Sequence, residues 1–299
     1  MQFDALVVGG SFAGLSAAMQ LARARRAVCV VDAGAPRNRF AAHAHGFFAQ
    51  DGTPPFELLA QARAKLAPYP TVRFVDGRAT AARAEGDGFT VSVDRGDTLT
   101  ARRLLLAGGV TDTLPDVPGL RERWGATVLH CPYCHGYEVA DRPLGVLATL
   151  PGSVHQAVLV ADWGPVTFFL NGGEAPDDAT RDLFRLRGVT VEPAPVVALE
   201  GPANGLDAVR LADGRRLPPA AMFVAPRTRP ADGLAASLGC AFDDGMTGPH
   251  VRTDAMKQTT VPHVFAAGDA ASMAHNATFA SSDGVMAGVS MHRSLIPGF

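Results

Sequence analysis

Two cysteines in the segment Cys131-Pro132-Tyr133-Cys134-His135-Gly136 are the residues of this 299-residue chain whose types and spacing point most directly to chemistry. Cysteines separated by two residues can close a small disulfide, and in a soluble protein that spacing means redox chemistry or metal binding. Zinc needs two further ligands, usually from a second such pair. The chain has only four cysteines. Cys29 and Cys240 each stand alone in an apolar stretch, the pattern of a buried structural thiol. His130 and His135 flank the pair and leave zinc as the alternative. The cysteine count favours redox chemistry, with no metal site.

A second set of residues lies at the N-terminus. Phe3 to Val8 is an apolar run of strand length, followed at once by Gly9-Gly10-Ser11-Phe12-Ala13-Gly14. Apolar residues then recur at Phe12, Leu15, Met19 and Ala22, a helical spacing. A second strand, Ala27 to Val31, ends in Asp32. This is a βαβ unit of about 30 residues with an acid about 20 residues past the glycines, as a dinucleotide fingerprint requires. Gly9 allows the tight turn, Gly14 lets helix and strand approach, and the helix N-terminus faces a pyrophosphate. Asp32 would accept hydrogen bonds from a ribose. Ser11 stands where the second glycine usually lies; its small side chain crowds a phosphate without forbidding it.

A third signal is Val264-Phe265-Ala266-Ala267-Gly268-Asp269, a short apolar strand closed by Gly-Asp. Ser281-Ser282-Asp283-Gly284 is expected to open a helix that runs through Ser294. The Asp269 carboxylate suits the hydroxyls of a ribitol chain, and the following helix N-terminus can stabilise negative charge on a reduced flavin. A capped turn before a surface helix is the alternative for this segment taken alone.

These motifs, with Leu106-Ala107-Gly108-Gly109 after an apolar strand, come in an order and spacing that resemble the low-molecular-weight thioredoxin reductases over essentially the whole chain. The expected fold class is α/β, with two Rossmann-like three-layer domains. Residues 1–113 and 247–299 carry both flavin motifs and are expected to form one discontinuous FAD domain. Residues 114–246 are expected to form an inserted NAD(P)H-domain-like module bearing the CxxC. Within the superfamily, Cys131 to Glu138 looks most like the branch with His after the second cysteine. That branch includes the dithiol oxidases that close disulfides in gliotoxin- and holomycin-type natural products. The better-studied reductases have an Asp proton donor where His135 stands, and an imidazole titrating near neutrality can do the same work.

The resemblance implies that Cys134 is the cysteine nearer the flavin, that Cys131 is the interchange thiol, and that His135 moves the proton. It implies FAD as cofactor, bound by Gly9, Ser11, Phe12, Ala13, Gly14, Asp32, Ala33, Arg37, Arg39, His45, Ala107, Gly108, Gly268, Asp269, Asn276, Ala277 and Thr278. The segment Pro36 to Phe48 follows Asp32 and is expected to run along the flavin, with Arg37 and Arg39 facing the pyrophosphate and His45 the isoalloxazine. A solvated loop with incidental histidines is the alternative for His43. The resemblance adds His275 and Asn276 beside the flavin and substrate cleft. The expected partner is a thioredoxin-like protein or a small dithiol or disulfide, with oxygen, a ferredoxin or a reduced flavin at the other end of the electron path. A homodimer is expected.

The middle of the chain departs from the family pattern. The NADPH site of the family has its own glycine fingerprint, and a cluster of arginines for the 2′-phosphate one strand later. Here the first place is taken by Gly145 to Ala157, whose glycines are not spaced to approach a pyrophosphate, and Pro151 removes a backbone N–H from the turn. The second place, Asn171-Gly172-Gly173-Glu174-Ala175-Pro176-Asp177-Asp178, holds three acids and no base. A 2′-phosphate would meet repulsion where it needs a guanidinium fork. The preferred reading is an enzyme that keeps flavin and disulfide but has lost the pyridine nucleotide. An NADPH-dependent thioredoxin reductase with an unorthodox cofactor contact and a non-catalytic flavin-binding redox sensor are the alternatives.

Composition agrees. A formal charge of −2 and the absence of basic runs argue against nucleic acid as a partner. No apolar segment reaches the roughly 18 residues needed to span a bilayer. Met1 to Asp4 lacks the positive start of a signal peptide, so the cytoplasm is the expected compartment. Phe299 either frays with the terminus or folds back over the flavin.

Overall fold

A computed structural model describes residues 2–299. The chain divides into two compact units, the first made of residues 1–39, 55–111 and 228–299, the second of residues 40–54 and 112–227.

The first unit is built on the N-terminal motif. Strand β1 (Gln2–Val8) runs into helix α1 (Phe12–Arg23) and strand β2 (Val28–Asp32), followed by α2 (Pro55–Leu66), β3 (Val72–Asp76), β4 (Ala79–Glu85), β5 (Gly88–Val93) and β6 (Thr98–Leu106). The sheet order is β3-β2-β1-β6-β5-β4. The first four of these pair in parallel, whereas β5 pairs antiparallel to both β6 and β4. Strand β6 changes partner along its length. Its start pairs with β5, and Leu104, Leu105 and Leu106 pair in parallel with Val264, Phe265 and Ala266. Alternation of side chains sends Leu6 and Val8 to one core and Ala5 and Val7 to the other, so the sheet is buried on both faces, as a parallel sheet requires. Two glycines let the C-terminal helix Ala277–Ser294 lie against α1. A Cβ at Gly284 would sit 2.0 Å from the Ala13 carbonyl oxygen, and one at Gly288 2.7 Å from that of Ala17.

The second unit repeats the principle with a five-stranded parallel sheet. Its order is Thr190–Glu192, Val166–Phe169, Leu144–Leu147, Ala221–Val224 and Val128–Leu129. Val146 and Phe168 face one core, under helices Ser153–Val160 and Asp178–Arg187, while Leu147 and Phe169 face the other. The second core is closed by an antiparallel sheet of Val196–Glu200, Ala208–Leu211 and Arg216–Leu217. The chain is α/β, with two Rossmann-like units.

The unit boundaries differ from those expected from sequence. Residues 228–246 belong to the first unit because Leu234, Ala235 and Cys240 are buried in its core with Leu104 and Val264. Residues 40–54 belong to the second unit, where the backbone of Phe40 lies against Gly125 so closely that a Cβ there would meet it at 2.9 Å. The C-terminal helix begins at Ala277, ahead of the expected Ser281. Its cap is Asn276, whose side chain accepts from the N–H groups of Thr278 and Phe279 at 2.8 and 3.4 Å. No helix among the described residues is long and apolar enough to cross a membrane.

Candidate active site

The dinucleotide cradle lies in the first unit. Gly9 follows β1 at φ +106°, and a Cβ there would come within 2.2 Å of the Ala107 carbonyl oxygen. A Cβ at Gly14 would meet the Gly9 carbonyl oxygen at 1.8 Å, so helix and turn touch backbone to backbone. Ser11 caps α1 without a side-chain hydrogen bond, and no acid lies in the first turn. The positive end of this helix is therefore uncompensated by its own sequence. Asp32 ends β2 with its carboxylate against Gly10, where a Cβ would meet Asp32 Cγ at 2.6 Å. The same carboxylate accepts from Gly34 N–H at 3.2 Å and from Arg63 at 3.4 Å.

The C-terminal motif joins this cradle. Gly268, at φ +71°, lies 3.0 Å by its built Cβ from the Ala13 side chain, which places the Gly-Asp turn beside the first turn of α1. Arg37 then donates to Asp269 at 3.0 Å, both side chains being mostly buried. Ala107 N–H donates to the Val8 carbonyl at 2.8 Å, which sets Ala107 and Gly108 at the same end of the sheet. Ala33 is exposed just past β2, and Ala277 and Thr278 lie in the first turn of the C-terminal helix behind Asn276. Arg39 donates to the carbonyls of Ala35 and Pro36 in its own turn. Phe299 lies under the Arg293 guanidinium, 4.4 Å from its ring centroid. Open glycine turns, an uncompensated helix end, an acid at the end of β2 and the Arg37–Asp269 pair fit a dinucleotide of the FAD type.

Sequence reasoning passed over Arg63 and Asp232. Arg63, on α2, ties Asp32 to Asp76, the latter at 3.0 Å, and its guanidinium lies 4.6 Å from the centre of the Phe74 ring. The Asp232 carboxylate faces Gly108, where a Cβ would lie 2.5 Å from its oxygen, and burial pushes its carboxyl above the usual range. Neither is near a recognisable motif.

The CxxC segment lies in the second unit. Cys131 and Cys134 form a disulfide with Cα atoms 5.3 Å apart. Cys131 is the cap of a single helical turn, Pro132–His135, entered through Pro132. Gly136 packs directly on Trp163, 2.8 Å from a built Cβ to the indole ring, so a larger residue there would displace the turn. Tyr133 meets Trp163 edge-on at 5.7 Å and is itself 73% exposed. The His130 ring stacks on Trp124, and its carbonyl accepts from Gln156 at 2.8 Å. Cys29 and Cys240 are buried in the first unit, the Cys29 thiol pushed up to about 11 by burial. Among the described residues no group of three or more His, Cys, Asp and Glu side chains could hold a metal ion. His135 is half-buried, and burial holds its imidazole below the ordinary range. His45, expected with the cofactor residues, falls in this unit, with Glu138 3.5 Å from its Nε2.

Strand Leu144–Leu147 leads through a turn into helix Ser153–Val160. Ser153 is fully buried there, and its Oγ accepts from the N–H groups of both Thr149 and Leu150, at 3.1 and 3.2 Å. After strand Val166–Phe169, Asn171 Oδ1 accepts from Val196 N–H at 3.0 Å, and Asp177 caps the next helix by accepting from Thr180 N–H at 2.8 Å. Each of the three arginines of that helix is paired with an acid: Arg181 with Asp178, Arg185 with Asp182 and Arg187 with Asp162.

Residues 3–160 and 170–284 match the family model for pyridine nucleotide-disulphide oxidoreductases. The chain is 32% identical to the thioredoxin reductase tcpT of Claviceps purpurea, over 95% of this chain and 92% of that protein. Among solved structures, an oxidoreductase from Agrobacterium tumefaciens is 47% identical, covers 99% of both chains and superposes with a TM-score of 0.95. HlmI is 40% identical, covers 98% of this chain and 92% of its own, and superposes at 0.92. With a CxxC disulfide in one unit and a glycine turn that fits a dinucleotide in the other, this chain belongs to the pyridine nucleotide-disulphide oxidoreductase family and is an FAD-dependent, thioredoxin-reductase-like disulfide oxidoreductase.

Proposed function

We propose that this enzyme passes electrons from a dithiol partner to the Cys131–Cys134 disulfide and on to FAD without drawing on NADPH. The carrying observation is the turn at Thr149 and Leu150, whose two N–H groups are already bonded to the buried Ser153 hydroxyl. A pyrophosphate at that turn would have to displace an internal hydrogen-bond network. The acids from Glu174 to Asp178 add repulsion where a 2′-phosphate would need a guanidinium. With no nicotinamide donor, the reducing equivalents come from the thiol partner.

In the first step a partner thiolate attacks Cys131 Sγ. The Cys131–Cys134 bond breaks, a mixed disulfide forms on Cys131, and Cys134 leaves as a thiolate. The second partner thiolate attacks the partner sulfur of that mixed disulfide, and Cys131 leaves. The partner has then lost two electrons and two protons and carries a disulfide. One proton rests on Cys131, and the other on a ring nitrogen of His135, where imidazolium stabilises the neighbouring thiolate. His135, half-buried directly after Cys134, is the imidazole placed for this role, and burial lowers its proton affinity, so the charges around it matter. Gly9, Gly14, Asp32, Arg37 and Asp269 would hold the FAD, which supplies a two-electron acceptor for the reduced pair. The names of tcpT and of other relatives carry thioredoxin reductase, so a thioredoxin-like protein is the partner of the alternative, NADPH-dependent reading.

Turnover of dithiothreitol in air is the test. The account expects disulfide and peroxide to form in equal amounts, and both to vanish in Cys131→Ser and Cys134→Ser. Dithiol turnover that survives loss of either cysteine would sink it. The Cys134→Ser protein should also capture the disulfide form of the physiological partner at Cys131, whose thiolate opens the partner disulfide and is left in a mixed disulfide that no Cys134 can resolve.

A further inference from the structure

Thiol exchange at Cys131 and Cys134 needs a place for a proton, and the second unit surrounds His135 with a defined set of charges. Burial pushes the His135 imidazole down, Glu138 works against that shift, and a charge on His45 adds to it. Glu138 belongs to the helical turn Tyr137–Val139, which follows His135 directly. Its Oε1 lies 3.5 Å from His45 Nε2, while His45 Nδ1 lies 3.5 Å from Asp51 Oδ1. The His45 ring is therefore bracketed by a carboxylate at each nitrogen.

The segment that brings His45 there is well braced. Ala44 and Thr53 form a bridge, and the N–H groups of both Ala44 and Gly52 are used within it, at 3.0 Å each. Gly46 N–H donates to Asp51 at 2.8 Å, which fixes the carboxylate facing His45. His43 Nδ1 lies 2.9 Å from the Gly52 carbonyl. This segment and the CxxC turn belong to one compact unit although they are distant in sequence.

We propose that Glu138 is a positioning residue for proton transfer at the disulfide, its carboxylate shared between His45 and His135 so that the charge on one imidazole governs the proton on the other. The inference deepens the dithiol-exchange reading and rests on it. When the partner dithiol opens the disulfide, one partner proton moves to a ring nitrogen of His135. His135 follows Cys134 in sequence, and Glu138 lies three residues on, across the helical residue Gly136, where its negative charge favours the imidazolium. A proton already on His45 draws on the same carboxylate and repels the second positive charge. No electrons pass through Glu138 or His45.

The test is an NMR titration of the oxidised protein, labelled with 13C at histidine Cε1 and measured without substrate. The His135 resonance is assigned by its loss in His135→Gln. Glu138→Gln should move the His135 midpoint down by about one pH unit, since an opposite charge at this range is removed. His45→Gln should move it up, because it removes a competitor for the same carboxylate. Glu138→Asp should restore most of the wild-type value. Reduction of the disulfide by dithiothreitol, counted by alkylation of the Cys131–Cys134 peptide, should slow about tenfold at neutral pH in Glu138→Gln, in step with a one-unit shift. An unmoved midpoint in Glu138→Gln, or shifts of the same sign in Glu138→Gln and His45→Gln, would overturn the proposal. If the wild type failed to turn over dithiols while the midpoints moved as expected, the functional reading would fall and the coupling between the imidazoles would stand.

Discussion

Two turns in this molecule occupy the same place in their units, at the end of a parallel strand and the start of a helix, and they are built in opposite ways. In the first unit, the glycines of Gly9 to Gly14 leave no room for side chains, Gly9 and Gly14 packing on backbone and Gly10 on the Asp32 carboxylate. Glycines touch carbonyls, Ser11 makes no capping bond, and the helix end carries no acid of its own. In the second unit, Thr149 to Ser153 is filled from within, because a buried hydroxyl takes up the N–H groups that would face a phosphate. Strand-turn-helix topology is thus shared by both units, and what differs is which groups hold the turn amides. An exposed amide array invites an anion; a satisfied one contributes to the stability of its own unit.

The largest effect should come from breaking the open turn. Gly14→Val places a side chain where even a Cβ would lie 1.8 Å from the Gly9 carbonyl oxygen. The variant should lose FAD altogether and yield little soluble protein, as read from the flavin-to-protein absorbance ratio. Asp269→Ala or Arg37→Ala removes a mostly buried charge-assisted hydrogen bond while leaving the turn intact. Such bonds contribute roughly 1.5–3 kcal/mol, so FAD should bind about 10- to 100-fold more weakly in titrations of apoprotein.

Breaking the closed turn should be felt as stability. Ser153→Ala strips the partner from two N–H groups at a fully buried position. The unfolding free energy should fall by about 1–3 kcal/mol in denaturant titrations, with FAD content unchanged. A gain of NADPH-dependent activity in Ser153→Ala would instead indicate that the hydroxyl alone was blocking a working site.

The smallest effect concerns Asp232 beside Gly108. Its folded-state pKa is raised by burial, so the folded protein holds a proton that the unfolded chain has released. Its influence on stability is therefore most favourable at low pH and fades as the pH climbs from the ordinary carboxylate range through the raised value. Asp232→Asn should flatten that part of the thermal-stability profile, and an identical slope in the variant would assign it to other groups.

Much of this was legible from residue types. The run Phe3 to Asp32 announced strand, turn, helix and strand, and Gly268-Asp269 announced a turn that the fold does bring against α1. Acids from Glu174 to Asp178 were visible as charge, although the capping role of Asp177 is a matter of backbone geometry. What was not legible depended on packing between distant segments. The return of residues 40–54 to the second unit, which sets His45 against Glu138, has no local signal. The last helix starts four residues ahead of the expected Ser281, since Ser281-Ser282-Asp283 reads as a helix opening while Asn276 ahead of Ala277 and Thr278 is equally a cap. Buried Ser153 looked like an ordinary helix-opening serine, and only the structure identifies it as the group that fills the turn.

The central claim is that the second unit no longer accepts a nicotinamide cofactor. Anaerobic stopped-flow mixing of the FAD-loaded enzyme with NADPH, NADH or a small dithiol, following flavin absorbance, tests it most directly. The account predicts prompt bleaching by the dithiol and an unchanged spectrum with either nucleotide. Rapid bleaching at micromolar NADPH would contradict it.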